Sequence, residues 1–224
     1  LGIYGVARDL AAAGVGTLTP LEIPKVKESF ESPVNVTLAF EDKFKDACPM
    51  FVGRYFKGVK NGESPQWLKD KLSAIGLRPI SALVDITNYS TIALNRPLHV
   101  FDADKIKGHI HIRMAKNGEK LVALDGKEYT LDDDMTVIAD EHNAEALAGV
   151  MGGERTGVSE NTVNVMLETA YFSPVRTAMT GRKLNLTSDA RFRFERGVDP
   201  AFLEDGTEIA SQLILDLCGG KASK

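Results

Sequence analysis

The segment from Leu77 to Asp102 has the clearest helical pattern of the chain. Its apolar and small residues recur at intervals of three and four, which predicts a helix with one buried stripe. The stripe consists of Ile80, Leu83, Val84, Thr87, Thr91 and Leu94. Asn95 is predicted to end this helix because Pro97 cannot continue it. His99 then follows on the exit loop.

Three further helices are predicted with both ends, and Ser173-Pro174 is typical of the start of another. The first runs from Val6 to Ala13 and ends at Gly14. The second is capped by Ser64, begins at Pro65 and ends by Gly76. Its buried face consists of Trp67 as a core anchor, Leu68, Leu72 and Ile75. The last helix spans Pro200 to Cys218, and its buried residues are Phe202, Ile209, Leu213, Ile214 and Leu217.

Short strands are predicted between these helices. Alternation or short apolar runs give Val34–Phe40, Val52–Lys60, His109–Met114, Leu121–Leu124, Lys127–Leu131, Met135–Asp140, Glu145–Val150 and Val163–Thr169. Asp125-Gly126 is the strongest hairpin signal. Many short strands with helices at the ends and one between predict an α+β fold. Residues 1–33 form a lead-in helix and connector, and residues 34–224 form one compact unit or two intertwined subdomains.

The composition narrows the function classes. The chain has 224 residues, 43% of them hydrophobic and 26% charged, which is typical of a globular protein. The net charge of −4 argues against a long nucleic-acid footprint, so any such contact should be local. Cys48 and Cys218 are interpreted as unpaired core thiols in a reducing cytoplasm. We find no pattern for a membrane span or a signal peptide.

Glu168 lies within an otherwise apolar strand. Burying an unpaired carboxylate is costly, so alternation alone favours a solvated face. Gly149 and Gly152 fit either a glycine-rich turn or a wall that a ligand approaches closely. His99 by itself fits a structural histidine better than a functional one.

The basic residues concentrate near the end of the chain, and they are Arg182, Lys183, Arg191, Arg193 and Arg196. Phe192 and Phe194 alternate with these arginines, which predicts an extended segment with buried aromatic rings. Ion pairs with Asp189, Glu195 and Asp199 are at least as good an interpretation as RNA contact.

A metal site is an alternative interpretation of the histidines. His109 with His111, and His99 with Asp102, have the spacing of ligand pairs. No second cluster has zinc-site spacing, so no metal is expected.

Four segments together resemble one known family. They read LRPISALVDITNYSTIALNRPLHVFD at 77–102, AGVMGGE at 148–154, LETAYFSP at 167–174 and SDARFRFERGVDP at 188–200. In this order they are similar to the editing domain of bacterial phenylalanyl-tRNA synthetase β-subunits. The resemblance implies a β-rich, sandwich-like core with flanking helices. It also implies a domain cut from a larger synthetase, as Leu1 in place of Met indicates.

The resemblance implies a role for each candidate residue. Glu168 would accept a hydrogen bond from a tyrosine phenol, which reverses the preference for a solvated face. Gly149 and Gly152 would form the pocket wall, and Ala190 would line the ring site. His99 would lie beside the ester, with Thr87 and Asn88 as hydroxyl and amide partners. Arg78 would meet the terminal adenosine or its phosphate. Ser188 keeps the hydroxyl of a threonine common in the family.

The implied reaction is hydrolysis of tyrosine wrongly esterified to tRNA(Phe). A phenylalanine pocket cannot strongly reject an isostere that only adds a hydroxyl, so a second sieve is useful. A charged acceptor contributes about 1.5–3 kcal/mol, or roughly a tenfold to over a hundredfold preference for tyrosine. No Gly-x-Ser-x-Gly elbow is present, so water is expected to attack without a covalent intermediate.

The partners follow from the same resemblance. They would be the tRNA(Phe) 3′ end, the tyrosine moiety and the α-subunit of an (αβ)₂ synthetase in the cytoplasm. The segment itself would need no cofactor, whereas the full synthetase would use ATP and Mg²⁺. Two alternatives remain open: a non-catalytic module that docks the tRNA end, and a metal-dependent hydrolase built on His99, Asp102, His109 and His111.

Overall fold

The structure is a computed structural model that describes residues 1–224. It contains six α-helices, here α1 to α6. They are α1 (Ile3–Ala12), α2 (Gln66–Ser73), α3 (Ala82–Leu94), α4 (Pro174–Lys183), α5 (Asp189–Phe194) and α6 (Leu203–Cys218). Turns of 3₁₀ helix lie at Asp42–Ala47, Ala103–Lys105 and Pro200–Phe202. None of the helices combines the length and apolar character needed to span a bilayer.

Eleven short strands complete the fold. They are β1 (Val36–Leu38), β2 (Met50–Lys57), β3 (Leu98–Asp102), β4 (Ile110–Met114), β5 (Lys120–Val122), β6 (Glu128–Thr130), β7 (Thr136–Ala139), β8 (Ala144–Leu147), β9 (Met151–Gly152), β10 (Asn164–Tyr171) and β11 (Lys221–Ala222). The predicted strands are all present, although most are shorter than the pattern indicated. The predicted Asp125-Gly126 hairpin is confirmed, since β5 and β6 pair around it.

The strands form two main sheets and one small hairpin. One sheet has four antiparallel strands in the order β11-β2-β10-β3. The other has five strands in the order β1-β4-β7-β8-β9, and only its β1–β4 pair is parallel. The third is the two-stranded β5–β6 sheet.

Three apolar cores hold these layers together. The first lies between the two main sheets and combines Phe101 and Met166 of one with Ile112 and Ile138 of the other. The second lies on the opposite face of the four-stranded sheet, under α2, α3 and α6. The third fills the space between the outer face of the five-stranded sheet and the β5–β6 hairpin. The predicted α+β, sandwich-like fold is therefore confirmed.

Strand β10 is covered on both faces. Met166 and Ala170 point into the first core, and Val165 and Leu167 point into the second. A strand buried on both sides has no solvated face, so alternation cannot assign its polar residues to water. The pattern-based preference for a solvated Glu168 was therefore wrong, because Glu168 is only 5% exposed.

Helix α3 ends as predicted but begins later. Asn95 caps it in a left-handed conformation, with φ at 55°. Leu83, Thr87 and Thr91 lie on its buried side. Ile80 is outside the helix and 68% exposed, so its place in the buried stripe was a wrong prediction.

The start of α2 also differs from the prediction. Ser64 does not cap the helix, because its hydroxyl donates to the buried Asp85 carboxylate at 2.6 Å. Trp67 is 41% exposed and packs edge-on against Tyr89 rather than anchoring the core. Ile75 is exposed as well. Leu68 and Leu72 alone form the fully buried face.

Residues 189–194 form the helix α5 rather than an extended segment. Ser188 caps it by accepting a hydrogen bond from the Arg191 amide. Helical periodicity turns Phe194 inward and leaves Phe192 45% exposed, so the expectation that both rings are buried was wrong.

The arginines of this segment are paired with acids. Arg193 bridges to Asp189, and Glu195 pairs with both Arg191 and Arg196. Asp199 instead caps a 3₁₀ turn, since its side chain accepts from the Ala201 amide. The ion-pair interpretation is therefore confirmed for two of the three acids.

The N-terminal segment packs against the rest of the chain. Helix α1 lies against α3. Val26 is buried in the second core, and its amide donates to Glu208 at 2.7 Å. The boundary at residue 33 stays a prediction. Both cysteines are buried and unpaired, as the sequence indicated.

Arg96 connects three parts of the fold, and its replacement tests that role. Its buried guanidinium donates to the carbonyl oxygens of Ala170 and Asp199, and its stem packs against Gly206. Arg96→Ala removes these bonds and leaves a void, so we expect the free energy of unfolding to fall by about 2–4 kcal/mol in urea titrations. The matched variant Arg78→Ala removes an exposed side chain and should change it by less than about 0.5 kcal/mol. Equal effects of the two variants would contradict this assignment.

Candidate functional site

A cavity of about 60 Å³ lies between the two main sheets and is closed at one end by α5. Its walls combine five of the nine residues predicted from the sequence with eight others. The predicted residues are His99, Gly149, Gly152, Glu168 and Ala190. The others are Pro97, Leu98, Ile138, Ala146, Leu147, Val150, Met151 and Phe194.

Glu168 projects from the middle of β10. The strand register places it directly opposite His99 of β3 on one side and Gly53 of β2 on the other. No hydrogen bond or ion pair supports its carboxyl group, and burial alone raises its pKa to about 8. The group is therefore mostly protonated at neutral pH, with its polar atoms available to a ligand in the cavity.

His99 lies in β3 rather than on the predicted exit loop. Its ring packs edge-on against Phe101, with 4.4 Å between the ring centroids. Its Nε2 atom is buried without a hydrogen-bond partner. Burial lowers the pKa of the imidazole to about 4, so His99 is neutral at physiological pH. Two neutral polar side chains thus lie side by side in one apolar cavity.

The glycines form a bare wall for geometric reasons. Gly149 has φ at +69°, and a Cβ there would lie 3.1 Å from Phe172 and 3.2 Å from Phe194. Gly152 has ordinary backbone angles, but a Cβ on it would collide with the His99 ring. Gly152 therefore allows the imidazole to lie against the backbone of β9. The approach of a ligand to these glycines stays a prediction.

Ala190 and Ser188 have different positions around α5. Ala190 lines the cavity one helical turn before Phe194. Ser188 does not line it; its hydroxyl donates to the Val150 carbonyl at 2.6 Å and so fixes α5 to the wall of the cavity. Its direct contact with substrate stays a prediction.

Three other predicted residues lie outside the cavity walls. Thr87 is buried on α3, where its hydroxyl donates to the Val84 carbonyl. Asn88 is partly buried on the same helix, and Arg78 is exposed in the segment before it. The roles given to these residues stay predictions.

Eight lining residues were missed by the sequence analysis. Five of them lie within the four segments that resemble the family, namely Pro97, Leu98, Val150, Met151 and Phe194, and the other three belong to no motif. Ile138, Ala146 and Leu147 are apolar strand residues that look the same as any core residue. Phe194 could have been found from its i, i+4 spacing to Ala190, had the segment been predicted as a helix.

The residues of the metal-hydrolase alternative are engaged separately. Asp102 accepts from the Thr162 hydroxyl at 2.8 Å, and His109 Nδ1 accepts from the Asn35 amide at 3.2 Å. His99 lies in the cavity. No group of three or more His, Cys, Asp or Glu side chains is placed to hold a metal ion.

The architecture matches a synthetase fragment in fold. The crystal structure of an N-terminal fragment of the phenylalanyl-tRNA synthetase β-subunit from Pyrococcus horikoshii aligns with 98% of this chain and 58% of its own, at a TM-score of 0.57. The sequence identity is 18%, so this similarity shows the fold alone.

A family model and full-length relatives identify the chain more closely. The model described as the B3/4 domain matches residues 47–219, and the chain therefore belongs to the B3/4 domain family. It is 61% identical over 224 residues to the phenylalanine–tRNA ligase β subunit of Paramagnetospirillum magneticum, covering 100% of this chain and 28% of that protein. It is 57% identical over 223 residues to the β subunit of Ruegeria pomeroyi, with the same coverage. The chain spans just over a quarter of these relatives and is homologous to that segment.

The packing of His99 on Gly152 can be tested with a single methyl group. Gly152→Ala should displace the imidazole, and we expect the His99 ring signals to shift in NMR spectra while those of the other three histidines stay in place. Gly62→Ala is the matched control, because a Cβ there meets nothing within 4 Å. Unchanged His99 signals in Gly152→Ala would refute the packing.

The raised pKa of Glu168 predicts a pH-dependent stability. The unfolded chain releases this proton near pH 4.5 and the folded chain near pH 8. The stability that depends on the proton is complete below pH 4.5 and is lost as the pH rises through 8. Glu168→Gln keeps the shape without titrating, so its stability relative to the native chain should increase by at least about 1 kcal/mol across this range. His99 titrates in both proteins, so its opposite contribution largely cancels. A difference independent of pH in urea titrations would show that Glu168 is not protonated in the fold.

Proposed function

We propose that this chain is the editing segment of a phenylalanine–tRNA ligase β subunit and that it hydrolyses tyrosine wrongly esterified to tRNA(Phe). The observation that carries the proposal is the Glu168 carboxyl, which faces the cavity without a hydrogen-bond partner and stands opposite His99. A group buried in this way is costly unless a ligand pairs with it. A phenol hydroxyl is a partner of the right size and polarity for an apolar cavity.

The protonation of Glu168 changes how tyrosine is distinguished from phenylalanine. A carboxylic acid can donate to or accept from a phenol, whereas a carboxylate can only accept. A net hydrogen bond between neutral groups contributes about 0.5–1.5 kcal/mol, less than the charged acceptor expected from the sequence. Phenylalanine additionally leaves the buried group unpaired, at a cost of about 1–3 kcal/mol. Together these effects amount to about 1.5–4.5 kcal/mol and favour tyrosine by roughly tenfold to two-thousandfold.

His99 is suited to positioning rather than to strong base catalysis. An imidazole with a pKa near 4 is a weak proton acceptor at neutral pH, but its neutral ring can still orient a water molecule or the ester. In the proposed reaction the water oxygen attacks the ester carbonyl carbon. The bond from that carbon to the ribose oxygen then breaks, and the ribose oxygen takes up a proton. Positioning of this kind can account for a large part of the acceleration of an ester hydrolysis.

The cavity must widen to take an aromatic ring. A cavity of about 60 Å³ has room for only a few water molecules. Leu98 and Met151 are only partly buried, and Met has a flexible side chain that adapts readily. We expect these two walls to move outward when tyrosine binds, while Gly149 and Gly152 stay in place.

The partners belong to the same proposal. The 3′ end of tRNA(Phe) would bring the tyrosyl ester to the cavity, and the α-subunit would complete an (αβ)₂ ligase in which ATP and Mg²⁺ serve the aminoacylation site. No step of the proposed hydrolysis needs a cofactor in this segment.

The proposal is tested by deacylation of tyrosyl-tRNA(Phe) in the intact ligase. Glu168→Ala should lower kcat/KM by about tenfold to a hundredfold, because the phenol loses its partner. Glu168→Gln should lower kcat/KM by less, because its amide can still form a hydrogen bond with the hydroxyl. Glu160→Ala removes an exposed carboxylate and is the matched control.

Two outcomes would contradict the proposal. A folded Glu168→Ala ligase with the native rate would remove Glu168 from substrate recognition. A native ligase that binds tyrosyl-tRNA(Phe) without clearing it would support the non-catalytic docking module.

A further inference from the structure

We propose that Leu124 is a substrate-binding residue at the mouth of the cavity and packs against the terminal nucleoside of the aminoacyl ester. This inference rests on the proposed function and adds to it a binding surface for the nucleoside half of the substrate. Leu124 belongs to none of the motifs found in the sequence, and it does not line the cavity itself.

The hairpin that carries Leu124 is fixed in position. The Leu124 amide donates to the Gly152 carbonyl at 2.9 Å, and the Glu154 amide donates to the Val122 carbonyl at 2.9 Å. At the tip of the hairpin, the Asp125 carboxylate accepts from Tyr129 at 2.7 Å and from the Lys127 amide at 3.1 Å. The position of Leu124 is therefore set by the cavity wall and not by a free loop.

Leu124 and His99 meet at the same glycine. A Cβ on Gly152 would clash with the His99 ring and would lie 3.1 Å from Leu124 Cδ1. The other methyl of Leu124 lies over Gly157, 3.3 Å from the position of a Cβ there. The leucine is thus seated on two residues without side chains, next to the imidazole, and is nevertheless 53% exposed.

The geometry of the substrate indicates which part of it would contact the exposed surface of Leu124. If the phenol pairs with Glu168, the ester lies towards His99 and the attached nucleoside must lie outside the cavity. Leu124 lies beside His99 at Gly152, and its exposed apolar surface can contact the apolar face of a base or ribose. Lys127, in the same hairpin, has an exposed side chain whose ammonium group lies 3.7 Å from the Asp125 carboxylate.

The test uses the intact ligase and tyrosyl-tRNA(Phe). Leu124→Ala should raise the KM for deacylation by about three- to tenfold and leave kcat within about twofold, because it removes apolar contact outside the reacting atoms. Leu124→Met should restore most of the native KM. Val122→Ala is the matched control, because Val122 is also exposed on this hairpin, whereas the side chains nearest a Cβ on Gly152 are those of His99 and Leu124. An unchanged KM in Leu124→Ala overturns the inference, as does a loss of kcat that Leu124→Met fails to restore.

A second measurement separates this inference from the proposed function. Binding of adenosine 5′-monophosphate to the chain, followed by NMR, should perturb the Leu124 methyl signals and should weaken about threefold or more in Leu124→Ala. If the native ligase does not clear tyrosyl-tRNA(Phe) but the nucleotide still binds in this way, the proposed function fails and the nucleoside surface stands. If clearance depends on Glu168 and the nucleotide does not perturb Leu124, the surface is refuted and the function stands.

Discussion

The burial of one carboxyl group without a partner determines the character of the whole cavity. Glu168 lies on a strand that is covered by helices on one face and by a second sheet on the other. The surrounding cores must supply enough packing energy to hold a polar group there. Folded proteins keep few such groups, and those they keep are commonly found at functional sites.

The cavity is polar but uncharged at neutral pH. Burial raises the pKa of Glu168 to about 8 and lowers that of His99 to about 4, so neither side chain is predominantly ionised. The two groups are neighbours in the register, yet burial rather than mutual attraction accounts for both shifts. An uncharged cavity of this kind recognises a ligand by its shape and by single hydrogen bonds. It should exclude ionised side chains, which would have to give up their hydration to enter.

Local signals in the sequence predicted most of the fold. The helix end at Asn95 and the hairpin turn at Asp125-Gly126 were predicted correctly. Each depends on a backbone conformation that a few neighbouring residues determine. The misplaced residues depended on distant packing instead. Trp67 is large and apolar but lies where no other layer covers it, and Phe192 faces solvent because its segment is helical.

The candidate site was only partly accessible from the sequence. The resemblance identified Glu168, His99 and the glycines, which the structure brings together. The resemblance could not predict that Ile138 and Phe194 belong to the apolar wall of the cavity, since that wall forms only when the two sheets pack face to face. Nor could it give the protonation of Glu168, which depends on how completely the layers exclude water.

The pairing of β10 with its neighbours also limits how this site can change over generations. Glu168 faces the cavity and Leu167 faces the helices because consecutive residues of a strand point in opposite directions. Inserting or deleting a single residue upstream in β10 would move the acid under the helices and place an aliphatic chain in the cavity. The polarity of the cavity can therefore be altered by exchanging one amino acid for another in place, but not by changing the length of the strand.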